Sequence, residues 1–65
     1  MIKVNISIMA EVTEEWENRF LDFFHQLREM QWVNELGEIL VPDESFYEEV
    51  FEIARQYDIR IILHS

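Results

Sequence analysis

The feature that most limits the possible folds is a change of hydrophobic period after residue 10. Over residues 2–10 every second residue lies on one apolar face, made of Ile2, Val4, Ile6, Ile8 and Ala10. A period of two with β-branched residues is typical of a half-buried strand. From residue 14 onward, apolar residues recur every three or four positions, which is typical of an amphipathic helix. The chain is therefore predicted to combine strands with helices.

Two helices are predicted, over residues 14–30 and 44–57. Their apolar stripes consist of Trp16, Phe20, Phe23, Leu27 and Met30, and of Phe46, Val50, Ile53 and Tyr57. Thr13 is placed to cap the first helix. The start of the second helix allows two caps, a capping box of Ser45 with Glu48 or a cap by Asp43. Leu21 and Phe51 lie off the stripes on matching sides, so we expect them to meet where the helices touch.

The middle of the chain leaves two topologies open. Residues 31–34 and 38–41 resemble short strands around Gly37, the one glycine, which suits a positive φ in a hairpin loop. Residues 59–64 form a closing strand. The predicted fold class is α+β, a ferredoxin-like split β-α-β-β-α-β sandwich with two helices on one face of a small antiparallel sheet. The alternative is β-α-β-α-β with a single middle strand, residues 38–41.

The predicted core follows from the same periodicities. The helices and strands are expected to bury Trp16, Phe20, Phe23, Leu27, Phe46, Val50, Ile53, Val4, Ile6, Ile8 and Ile61. The other face of the sheet is expected to be open, with Lys3 and Arg60 on it. Three apolar residues are also predicted on that open face, namely Met9, Leu40 and Ile62.

Length and charge exclude several functional classes. A chain of 65 residues allows one domain, spanning 1–65. Fourteen acids against five lysines and arginines give a net charge of −9, which disfavours direct binding to nucleic acid or to anionic membranes. No apolar run approaches a membrane span, and Asn5 and Ser7 interrupt the first ten residues, unlike a signal peptide. We expect a cytoplasmic protein.

Few residues suit catalysis or ligand chemistry. Cysteine is absent, so disulfides and thiolate metal sites are excluded. Asp22, His25 and Glu29 share one helix face, but a solvated, charge-paired histidine is the simpler explanation. A single glycine cannot build a phosphate-binding loop. The sequence therefore predicts no enzyme, no cofactor and no metal site.

The acidic residues are the strongest functional signal, because they cluster without bases among them. The predicted partner-binding residues are Asp43, Glu44, Glu48, Glu49 and Glu52, with Glu14 and Glu15 on the first helix. Acidic surface also keeps small domains soluble, and that explanation competes with any functional one. If the cluster is functional, its carboxylates imitate a nucleic-acid backbone and occupy a groove lined by lysine and arginine.

Two functions are therefore weighed. The first is a non-enzymatic inhibitor that binds a protein partner through the partner's basic surface, as a nucleic-acid mimic. In size and charge, though not in any motif, the chain resembles small acidic inhibitors that are common among phage-encoded proteins. The alternative is a homo-oligomeric ligand-binding or regulatory module, such as a homodimer, that associates through Met9, Leu40 and Ile62 on the open sheet face.

Overall fold

The computed structural model describes residues 1–64, which form a small α+β unit with two helices and an antiparallel sheet. The elements are β1 (Ile2–Ile8), α1 (Glu14–Glu29), β2 (Ile39–Val41), α2 (Tyr47–Gln56) and β3 (Ile61–His64), with a 3-10 turn at Glu44–Phe46 before α2. Within the described range the sheet has three strands in the order β2-β1-β3. This arrangement is broadly compatible with a ferredoxin-like fold. Neither helix of residues 1–64 has the length and apolar character needed to cross a bilayer.

The two outer strands cover different halves of β1. β2 pairs with its first half, from Ile2 opposite Val41 to Val4 opposite Ile39. β3 pairs with its second half, from Asn5 opposite His64 to Ile8 opposite Ile61. β1 is therefore the central strand, but each of its edges is paired over only about half of its length.

The predicted second strand, residues 31–34, is not formed. Only a single bridge joins Val33 to Ile39. Two bends shorten this segment: Gln31 has a φ of 63°, and the side chain of Asn34 accepts from the amides of Leu36 and Glu38 at 3.0 and 2.9 Å. The split β-α-β-β-α-β order is thus not confirmed, and the named elements follow the alternative, β-α-β-α-β. Gly37 does take the predicted positive φ, 79°.

The helix boundaries follow local capping. The Trp16 amide donates to Thr13 Oγ1 at 3.1 Å, as predicted. Asp43 caps the 3-10 turn before α2 and accepts from the Ser45 amide at 2.8 Å, whereas α2 itself begins after Phe46 without a side-chain cap. The capping box of Ser45 with Glu48 therefore does not form. Asp58, at a φ of 56°, follows the end of α2. The closing strand consequently begins at Ile61 rather than at residue 59.

Most of the predicted core is confirmed. The buried members are Val4, Trp16, Phe23, Leu27, Val50, Ile53 and Ile61. Phe20, Phe46 and Ile6 are half-buried, and Ile8 is 41% exposed, because β2 ends before it can cover that end of β1. The core also includes residues that the periodicity did not select: Trp32, Ile39, Val41, Ala54 and Ile59.

The predicted contact between Leu21 and Phe51 is wrong. Leu21 is 63% exposed and Phe51 is 40% exposed, so neither is packed between the helices. Leu21 lies three residues before Phe24, on the same side of α1. Phe24 lines a groove together with Ile6 and Ile8 of β1 and with Gly37 and Glu38 of the loop before β2. The side of α1 that contains Leu21 and Phe24 therefore faces this groove.

Candidate partner-binding surfaces

The acidic segment, residues 43–52, lies on the outside of the 3-10 turn and α2. Its five carboxylates belong to exposed residues, Asp43, Glu44, Glu48, Glu49 and Glu52. Glu52 pairs with Arg55 at 3.0 Å. The other four have no ion pair with any residue from 1 to 64. The structure thus places four uncompensated negative charges at the start of α2.

Part of this charge has a local structural role. Asp43 Oδ1 accepts from both the amide and the hydroxyl of Ser45, which stabilises the first turn. The hydroxyl bond is the main reason that the pKa of Asp43 is lowered, and the amide bond adds to it. Glu44, Glu48 and Glu49 make no such side-chain hydrogen bond within residues 1–64. Their clustering is therefore not explained by capping bonds.

Glu14 and Glu15 do not join the acidic segment. They start α1, which follows the Ile8 end of β1, and Glu15 pairs with Arg19 at 3.0 Å. The acidic segment follows Val41, which pairs with Ile2 at the other end of β1. The two ends of β1 are roughly 20 Å apart at about 3.3 Å per residue. The predicted partner-binding residues thus form two groups at opposite ends of the sheet.

The predicted sheet-face residues also separate into two places. Ile62 lies opposite Ser7, and Met9, just past β1, donates its amide to Arg60 O at 3.2 Å. Met9 and Ile62 are therefore diagonal neighbours, 60% and 41% exposed. Leu40 is half-buried and lies on β2, opposite Lys3, so β1 separates it from Ile62 on β3. The face between them is polar, since Ser7 Oγ and His64 Nε2 are 2.7 Å apart.

Glu38 forms an ionic network at the hairpin that the sequence did not indicate. Lys3 Nζ lies 2.7 Å from Glu38 Oε2, and Asn34 Nδ2 donates to Glu38 Oε1 at 2.9 Å. The bond from Lys3, then the bond from Asn34, lowers the pKa of Glu38. Lys3 and Glu38 are 35 positions apart in the sequence, and only the pairing of β1 with β2 brings them together.

The free energy of unfolding is expected to depend on pH through Glu38. Its lowered pKa means that the unfolded chain binds the proton more readily than the folded chain. The stabilisation is complete above the ordinary pKa of 4.5 and is lost as the pH falls through the lower pKa of the folded state. A Glu38→Gln variant should unfold at a lower temperature than the parent at neutral pH, and the difference should shrink on acidification. The control is Glu35→Gln on the same loop, which should follow the parent; equal behaviour of both variants would contradict the network.

The two histidines make simple polar contacts. His25 Nε2 lies 3.3 Å from Glu29 Oε1 on the exposed face of α1. His64 contacts Ser7, and its other ring nitrogen has no hydrogen-bond partner among residues 1–64. The same residues contain no group of three or more histidine or acidic side chains that could hold a metal ion. A serine–histidine pair without an orienting third group lacks part of a nucleophilic site.

Comparison with protein-family models, with curated proteins and with solved structures gives no match to this chain. No relative therefore assigns an activity, a ligand or a partner to any of its residues.

Proposed function

We propose that the chain is a small non-enzymatic protein-binding domain, an inhibitor whose acidic segment occupies a basic nucleic-acid-binding groove of a partner protein. One observation supports this above the others: four exposed carboxylates at the start of α2 have no ion pair within residues 1–64. Clustered like charges destabilise a helix, so this arrangement has a cost for the isolated chain. A cationic partner surface would offset that cost.

The spacing of the acids suits such a partner. Glu48 and Glu52 are one helical turn apart, so they share a face with their Cβ atoms about 5–6 Å apart. Glu49 lies beside them, and Asp43 and Glu44 extend the charge beyond the helix start. Lysine and arginine side chains that normally neutralise successive phosphates could pair with carboxylates in such a row. We propose that the chain binds this nucleic-acid-binding partner in the cytoplasm.

The fold of this domain is proposed to be the split β-α-β-β-α-β type. The Trp32–Asn34 segment would then replace the second strand at the outer edge of β2. The Leu40 amide donates to Trp32 O at 2.7 Å and the Asn34 amide donates to Glu38 O at 3.0 Å, which supports this proposal. This segment pairs with residues 38–40, before Val41, so its pairing does not involve the acidic segment, which follows Val41.

The acidic segment is tested by charge removal without loss of size. A Glu48→Gln/Glu49→Gln/Glu52→Gln variant should fold at least as stably as the parent, because it loses like-charge repulsion. Its association with a partner captured from a bacterial lysate and identified by mass spectrometry should be about tenfold slower at low salt, with a flatter salt dependence. Stopped-flow or biosensor rates measure both effects.

A matched control removes the same charge elsewhere. Asp22→Asn/Glu35→Gln/Asp58→Asn changes three exposed acids that have no ion pair within residues 1–64. This control should keep most of the association rate. Nucleic acid should also compete with the parent for the captured partner. Equal loss in both triple variants, or no competition by nucleic acid, would contradict the proposal.

A second candidate function is self-association through the open sheet face. It is favoured by the adjacent exposure of Met9 and Ile62, at 60% and 41%, on one side of that face. Adjacent exposed apolar residues can form the centre of an interface. The polar pair Ser7–His64 beside them would lie at its rim.

Ile62→Glu tests the second candidate. If this face joins two copies, the parent should show twice the monomer mass in sedimentation at high concentration, and Ile62→Glu should be a monomer. The folded state should persist, since Ile62 is already 41% exposed. A monomeric parent at every concentration would reject self-association at this face.

A further inference from the structure

Among residues 1–64, one edge of β1 has backbone groups without hydrogen-bond partners. Leu40 donates its amide to Trp32 O, away from β1, so the neighbouring residue Ile39 presents its backbone groups to β1. The Met9 amide donates to Arg60 O on the β3 side. Because these directions alternate along an antiparallel strand, the even-numbered residues of β1 present their N–H and C=O groups to the β2 side.

β2 does not reach far enough to use all of these groups. Its pairing with β1 stops at Val4, where the chain enters the hairpin loop around Gly37. The backbone groups of Ile6 and Ile8 therefore have no backbone partner on this edge among residues 1–64. An unpaired strand edge is a template for a further strand.

An apolar groove lies directly beside this edge. Its volume is about 300 Å³, and it is lined by Ile6, Ile8, Phe20 and Phe24, with Gly37 and Glu38 at one end. Ile8 is 41% exposed, and the two phenylalanines are only half-buried, with their tilted rings in contact at a centroid distance of 5.2 Å. Leu21, 63% exposed, extends the apolar surface along α1.

Charge distinguishes the two ends of the groove. At the Gly37 end Glu38 is already paired with Lys3 at 2.7 Å. At the Ile8 end the chain continues into Glu11 and the first turn of α1, where Glu14 and Glu17 have no ion pair within residues 1–64. Glu17 also lies one turn before Phe20 and Leu21, on the groove side of α1. The uncompensated charge therefore lies at the Ile8 end.

We propose that this free edge binds an extended segment of a partner protein, which adds to β1 as a strand. Its N–H and C=O groups would pair with Ile6 and Ile8, and two of its apolar side chains, two residues apart, would enter the groove beside Phe20 and Phe24. Lysine or arginine at the Ile8 end would complement the acids there. A second copy of this chain fits less well, because it would bring a further net charge of −9 to an acidic surface.

The site is independent of the acidic segment. The groove lies beside β1 from Lys3 to Ile8, and none of residues 43–52 lines it, since the acidic segment follows Val41 beyond the Ile2 end of β1. Substitutions at residues 48–52 should therefore leave the groove intact. Failure of one proposal does not entail failure of the other.

The test uses a fluorescein-labelled peptide of alternating valine and lysine, with anisotropy as the readout. Ile8→Glu is compared with Ile62→Glu, since both isoleucines are 41% exposed but lie on opposite faces of the sheet. Ile8→Glu should weaken peptide binding about tenfold, although its added negative charge would strengthen a purely electrostatic attraction. Ile62→Glu should bind like the parent. The same peptide with proline at its central valines, which lacks the needed N–H groups, should not bind.

Amide hydrogen exchange gives a second readout on the unaltered chain. Without peptide, Ile6 and Ile8 should exchange faster than Asn5 and Ser7, which face β3. Saturating peptide should slow Ile6 and Ile8 selectively. Absence of binding, equal binding by the two variants, or binding of the proline peptide would overturn the proposal. Slow exchange of Ile6 and Ile8 that depends on protein concentration alone, with a dimeric mass, would overturn it in favour of a second copy.

Discussion

Replacing Phe23 with alanine is expected to remove a large part of the protein's stability. Phe23 is fully buried, and its ring lies near those of Phe20 and Phe24, with centroids 6.0 and 6.4 Å apart. Removing such a side chain typically costs about 3–5 kcal/mol, from lost burial and from the cavity. A chain of this length has a total free energy of unfolding of roughly 3–10 kcal/mol. The loss is thus at least about a third of the total and equals all of it at the lower end of that range.

Phe51→Ala is the matched control for this prediction. Phe51 is the same residue type in the other helix, but it is 40% exposed, so its removal should cost less than about 1.5 kcal/mol. Urea unfolding followed by tryptophan fluorescence and circular dichroism measures both variants. Equal stability of Phe23→Ala and Phe51→Ala would show that the inner face of α1 has been misassigned.

Trp32→Ala is expected to have an effect of the same size. Trp32 is buried, with 7% exposure, and packs edge-on against Phe46 at a centroid distance of 5.3 Å. Its amide donates to Leu27 O at 2.9 Å, so the backbone holds the ring close to the end of α1. The side chain therefore joins α1 to the turn that precedes α2. Its loss should lower the free energy of unfolding by about 3–5 kcal/mol.

The control for Trp32 lies on the same connection between α1 and β2. Leu36 is 83% exposed in the loop, and Leu36→Ala should change the free energy of unfolding by less than about 0.5 kcal/mol. Thermal unfolding by circular dichroism measures both variants. A Trp32→Ala variant as stable as Leu36→Ala would mean that the segment after α1 contributes little to the core.

The hydrophobic periodicity along the sequence predicted the elements that bury one continuous face. The alternation over residues 2–10 and the stripe from Trp16 to Leu27 both follow from one buried face, and β1 and α1 are confirmed. The predicted strand at 31–34 is reduced to a single bridge, because Asn34 bonds to the backbone of its own loop and bends the chain. Hydrophobic periodicity contains no information about such side-chain bonds.

The arrangement of the surfaces depended on pairing between distant segments. The side of α1 that contains Leu21 faces the groove rather than α2, and helical periodicity alone does not determine which flank meets a neighbour. Likewise, the sequence alone does not separate Glu14 and Glu15 of α1 from the acidic segment. The pairing of Val41 with Ile2 separates them. Lys3 and Glu38 meet for the same reason, and no local pattern relates them.

The pairing of β1 with β3 also has a consequence for biosynthesis. Ser7 and His64, which form a cross-strand hydrogen bond, are separated by 57 positions, so β1 is synthesised well before the strand that pairs with its second half. Until then the second half of β1 has no partner on either edge, and Ile6 and Ile8 are exposed in the nascent chain. Contacts this distant in sequence slow folding and prolong the exposure of aggregation-prone segments. Between the synthesis of β1 and that of β3, Ile6 and Ile8 are therefore open to contacts with other chains.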